Sequence, residues 1–102
     1  MLISKILTNL EYMNREDMIN NLKQEKSSLQ AQQLKMIGKE RRIYQNSIDQ
    51  LDGILSVIQN GIKPSSRFLK KEEFEELRPF VEKLVNQGEF DENKFRLLYS
   101  SF

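Results

Sequence analysis

Between Arg15 and Asn60 the chain has no proline and only two glycines, Gly38 and Gly53, yet the middle of this stretch is almost entirely polar. From Lys23 to Lys35 only Leu29, Ala31 and Leu34 are apolar. Such a run favours helix, but a helix this polar buries little of itself. It needs a partner surface, supplied by the same chain or by a second copy. All six phenylalanines lie between Phe68 and Phe102. The expected architecture is therefore all-α: a long helical hairpin or coiled-coil bundle over residues 1–62, a linker at 63–67, and a small aromatic helical unit over 68–102.

Apolar patterning supports each part. Ile3, Ile6, Leu7, Leu10 and Met13 recur at spacings of three and four, which predicts an amphipathic first helix. Asn14 can cap a new helix, with Glu16 and Asp17 in its first turn, but Glu11 and Arg15 at i,i+4 favour a helix continuing through it. Met18, Leu22, Leu29, Met36 and Ile43 form a sparse stripe, the last four at intervals of seven. Ser27-Ser28 is the expected break, because serine is a poor interior residue and Ser27 stands at capping-box spacing from Gln30. Unbroken, the 46 residues from 15 to 60 at about 1.5 Å each would reach roughly 69 Å.

The sharpest periodicity is Tyr44, Ile48, Leu51, Leu55, Ile58 and Ile62, spaced 4, 3, 4, 3, 4 and reinforced by Ile54 and Val57. It predicts a bundle or dimer seam. Gly53 lies on its outer side, either to admit a close neighbour or tolerated at about 1 kcal/mol relative to Ala. Asn60-Gly61 followed by Pro64 is a stop signal. Beyond it, Phe68, Phe74, Leu77, Phe80, Val81, Leu84 and Val85 share a helical face interrupted by Pro79, which predicts a kink or two abutting helices. Asp91 is the expected cap of a last helix carrying Phe95, Leu98, Tyr99 and Phe102, with Glu92 pairing Arg96.

Composition narrows the chemistry. The chain has 102 residues, no Cys and no His. Thiol chemistry, disulfides, the commonest general base and the commonest zinc ligands are thereby removed. No glycine-rich phosphate loop or calcium-loop pattern is present. We expect no enzymatic activity, no cofactor and no metal. The hydrophobic fraction is 38%, lean for a self-sufficient core. No apolar run approaches a bilayer span, and the start Met1-Leu-Ile-Ser-Lys-Ile-Leu is too short an apolar run for a secretory signal, so a cytoplasmic protein without a membrane role is expected.

Residues 1–71 carry a net charge of +5 and residues 72–102 one of −4. Two basic groups stand out: Lys35, Lys39, Arg41 and Arg42, and then Lys63, Arg67, Lys70 and Lys71. Either can contact phosphates. Glu72, Glu73, Glu75 and Glu76 are read as a helix start, where the dipole favours negative charge. The leading expectation is a protein-interaction module, homodimeric, with Phe68, Phe74, Phe80, Phe90, Phe95 and Phe102 as the partner surface. The alternative is a nucleic-acid accessory protein using the two basic groups. Short coiled-coil chains of this composition occur among secretion chaperones, phage-encoded host-binding proteins and assembly adaptors, an analogy of composition that transfers no residue.

Overall fold

A computed structural model describes residues 2–99, with the side chains of residues 5–99. Phe102 lies outside the described residues, and so does the side chain of Ile3. Five helices follow in order: α1 Leu2–Leu10, α2 Arg15–Gln33, α3 Gly38–Asn60, α4 Lys71–Asn86 and α5 Glu92–Tyr99. No strand occurs among the described residues. The expected all-α hairpin with a small C-terminal helical unit is what the chain forms.

The first helix does not run into the second. α1 ends at Leu10, and the Asn14 side chain accepts the Asp17 N–H at 2.8 Å to cap α2. The Glu11–Arg15 spacing loses because Arg15 has a better use. Its Nε and Nη2 donate to the carbonyls of Ile58 and Gln59 at 3.0 and 2.8 Å, at the end of α3. Those carbonyls have no partner within the helix, and a cation beside them also meets the negative end of the dipole. The Arg15 N–H donates to Glu89 Oε1 at 2.6 Å, which ties the start of α2 to the loop before α5.

The hairpin exists, but its turn is not at Ser27-Ser28. α2 passes straight through those serines, which are solvent-exposed and cost the helix little. The chain reverses at Leu34–Ile37 instead. Lys35 and Met36 tighten the end of α2 through bonds to Gln32 and Gln33 carbonyls. Ile37 is extended, and Gly38 takes φ 61°. That left-handed conformation is open to glycine and costly for other residues, so Gly38 decides where the rod folds. The longest dimension is accordingly 42 Å.

The core sits at one end of the hairpin. Leu7 and Leu10 of α1, Met18 and Leu22 of α2, five residues of α3 from Leu51 to Ile58, and Phe74, Leu77, Val81 and Leu84 of α4 form one cluster, closed by Phe90, Leu98 and Tyr99. The segments on either side of the 63–67 loop thus share a single core. The seam residues Ile48, Leu51, Leu55 and Ile58 are buried within the chain, Tyr44 is half-buried, and Ile62 is 59% exposed beyond the helix end. Ile54 and Val57, read only as reinforcement, are fully buried, because the C-terminal unit covers a second face of α3.

Gly53 is the contact point of that second face. A Cβ there would lie 2.6 Å from Leu69 Cγ and 3.2 Å from Phe68 Cβ. Of the two roles read for it, admitting a close neighbour is the one the structure shows. Leu69 is buried in a turn where the Phe68 and Leu69 N–H groups both donate to the Ser65 carbonyl. α4 therefore begins at Lys71, after this turn has opened the C-terminal unit. It then runs unbroken to Asn86 through Pro79. Pro79 is exposed, so its ring lies on the solvent face and water can serve the carbonyl it leaves unbonded. α5 starts as expected: Asp91 Oδ1 accepts the Asn93 N–H at 2.7 Å, and Glu92 pairs Arg96 at 3.1 Å.

Candidate interaction surface

No residue from Lys23 to Ser47 is buried. Beyond Leu22 and Ile48, then, the hairpin continues as a two-helix arm, in which Leu29 alone packs against the core. Polar contacts join its helices. Tyr44 Oη donates to Gln32 Oε1 at 3.0 Å, and Gln33 Nε2 donates to Gln45 Oε1 at 2.8 Å and the Arg41 carbonyl at 3.2 Å. Lys26 and Asp52 pair at 2.6 Å near the base, both partly exposed. Of the expected stripe, Leu29 and Met36 are half-buried, and Ile43 is exposed. Solvated side-chain bonds of this kind contribute little each.

The tip of the arm carries three of the six large apolar residues that the fold leaves exposed among the described residues. Leu34 is 81% exposed, Ile37 85% and Ile43 61%. Lys35, Lys39, Arg41 and Arg42 are all exposed around them, with Glu40 the single acid in the same stretch. The first basic group is thus gathered at the turn, alternating with three large aliphatic side chains. The other large exposed apolar residues, Tyr12, Ile62 and Leu97, lie outside the arm. Lone residues of this sort are ordinary on any protein.

The second basic group is arranged differently. Lys63 stands 5.3 Å over the Phe74 ring, and Arg67 stands 5.6 Å over Phe68. Arg67 and Lys70 also line a groove of about 460 Å³ together with Glu72, Glu73 and Glu76. Its wall on α3 is Asn46 and Gln50. Glu73 is the one buried charged side chain among the described residues. It accepts the Lys70 N–H at 2.9 Å and a bond from Gln50, so it locks α4 onto α3. Glu72 and Glu76 are exposed at the mouth. The groove lies where the C-terminal unit stops and the bare arm begins.

None of the phenylalanines is fully exposed among the described residues. Phe74 and Phe90 are buried, and Phe68, Phe80 and Phe95 are half-buried. Phe74 stacks on Tyr99 at 4.3 Å, and Phe95 tilts against Tyr99 at 5.4 Å. The turn at 65–69 and the fold-back of α5 let these rings fill the space beside α3. Tyr99 is held neutral to unusually high pH, first by burial and then by Glu75, with Arg78 opposing; its hydroxyl donates to the Phe74 carbonyl at 2.9 Å. Among the described residues no cluster of acidic side chains is placed to hold a metal ion. No described helix is long and apolar enough to cross a membrane.

Leu34, Ile37, Leu69 and the capping role of Arg15 were not read from the sequence. A signal for the first two existed: Gly38 in a proline-free stretch, flanked by aliphatic and basic residues. No family model matches this chain, and no curated protein or solved structure shows significant similarity to it.

Proposed function

We propose that this chain is a non-enzymatic protein-interaction module that docks through the tip of its α2–α3 arm. The observation that carries the reading is the exposure of Leu34, Ile37 and Ile43 inside a basic rim, at the end of an arm that packs only Leu29 against the core. Large aliphatic side chains at a turn do not help this fold, whereas burying them in a partner is favourable by about 25 cal/mol per Å². The surrounding cations suit an acidic partner surface and speed encounter with it. Nucleic-acid binding is the weaker reading. It would rest on the tip cations alone, because Arg67 and Lys70 share their groove with three carboxylates.

A photo-crosslinking residue at Ile37, compared with one at Gln24, tests the proposal in the source cell. Protein adducts are expected from position 37, and they should disappear in a Lys39→Glu/Arg42→Glu background. Equal or absent adducts at the two positions would refute it, and nuclease-sensitive adducts would favour the alternative.

A further inference from the structure

We infer that the occupant of the arm is the arm and groove of a second copy of this chain, paired reciprocally about a two-fold axis. The inference rests on the docking role proposed for the tip. Its own ground is the continuity of one helical row. On α3, Ile43, Ser47, Gln50, Ile54 and Val57 follow spacings of 4, 3, 4 and 3, so they share a face. The C-terminal unit covers this face at Ile54 and Val57, and the Gln50–Glu73 bond marks its edge. Past that edge Ser47 is half-buried and Ile43 is exposed. The basic, apolar arm and the carboxylate-bearing groove are thus consecutive stretches of one surface.

A second arm running antiparallel along this row enters the groove directly. If Ile43 opposes Ser47 of the second copy, then position 42 faces the level of 48 and position 39 the level of 51. Those levels span the groove wall at Gln50, where Glu72 and Glu76 stand at the mouth. Position 37 reaches the level of 53. Ser47, the small residue of the row, lets the two helices approach. The tip contributes four cations against Glu40, and it meets the start of α4, where Glu72, Glu73, Glu75 and Glu76 outnumber Arg67, Lys70 and Lys71. Because each copy offers both halves, the contact closes on itself as a dimer and does not propagate.

The experiment is analytical ultracentrifugation of the full chain at about 100 µM in about 50 mM salt, where screening is weak. The wild type should sediment with the mass of two chains. Arg42→Glu and Glu76→Lys, both exposed positions, should each weaken association at least tenfold, with unchanged circular dichroism. A 1:1 mixture of the two variants should restore the dimer, because position 42 of either copy then meets an opposite charge at position 76 of the other. A monomeric wild type, open-ended assemblies, or single variants that stay dimeric would each overturn the inference, as would a mixture that fails to recover. A monomeric wild type whose Ile37 still crosslinks to another protein would sink the self-pairing and leave the docking role of the tip standing.

Discussion

Gly53→Ala separates two forces that act on one atom. In a solvent-exposed helix the change would stabilise by about 1 kcal/mol, since glycine has the larger backbone freedom to lose. Here the added methyl would sit 2.6 Å from Leu69 Cγ, against a comfortable carbon–carbon separation of about 3.5–4.0 Å. Relief requires a shift of roughly 1 Å. Cγ is the branch point of a buried side chain, so rotation about its outer bonds does not clear the clash. The turn behind it is held by two N–H groups on Ser65, at 3.0 and 3.2 Å. Overpacking of this kind costs about 1–3 kcal/mol. The net expectation is destabilisation by about 1 kcal/mol, and about 4–8 °C of melting temperature per kcal/mol in a chain this size. Urea and thermal unfolding followed by circular dichroism read both. A Leu69→Ala partner provides the internal check: alone it should cost about 2–5 kcal/mol, and in the Gly53→Ala background measurably less, because the new methyl occupies part of the cavity. A Gly53→Ala protein more stable than wild type, or strictly additive costs, would refute the close approach of Leu69 to α3.

Further outcomes follow from other contacts. Arg15→Ala should cost about 2–3 kcal/mol, as two charge-assisted bonds to the Ile58 and Gln59 carbonyls vanish. Arg15→Lys should recover only part of it, since an ammonium cannot reproduce the two-pronged geometry. The raised pKa of Tyr99 means that above pH 10 the unfolded chain loses this proton while the folded chain keeps it. Stability contributed by the neutral phenol is fully present below pH 10 and is lost as pH rises, with a slope of up to about 1.4 kcal/mol per pH unit. Tyr99→Phe should therefore give a flatter stability profile than wild type between pH 10 and 11.5, measured by urea titration; parallel profiles would contradict the burial of this hydroxyl. Amide hydrogen exchange should be markedly faster over 30–46 than over 51–58, because the arm has no buried side chain to hold it closed.

Local signals were read correctly where the physics is local. The Asn60-Gly61 stop, the Asp91 cap and the Glu92–Arg96 pair each depend on residues within a few positions of one another, and each is present. The row from Ile48 to Ile58 was legible for the same reason, since period alone puts those residues on one face. The hairpin turn was misplaced because Ser27-Ser28 and Gly38 compete, and serines on an exposed face are tolerated whereas a reversal demands the backbone freedom of glycine. The burial of Phe74 and Phe90 was not legible, because composition reports how much aromatic surface exists but not what covers it.

Periodicity, the long proline-free stretch and the lean apolar content were enough, taken alone, to determine an all-α chain with an aromatic C-terminal unit, and left a hairpin and an unbroken rod both open. The tertiary structure decided which apolar residues stay outside. Leu34, Ile37 and Ile43 are as hydrophobic as the core residues, and nothing local distinguishes them. They are exposed because α1, α4 and α5 together are long enough to cover only one end of the hairpin. Burial depends on where the other helices come to rest, a non-local quantity, and that placement leaves a basic, apolar tip at the far end of an arm whose base borders a groove lined by charges of both signs.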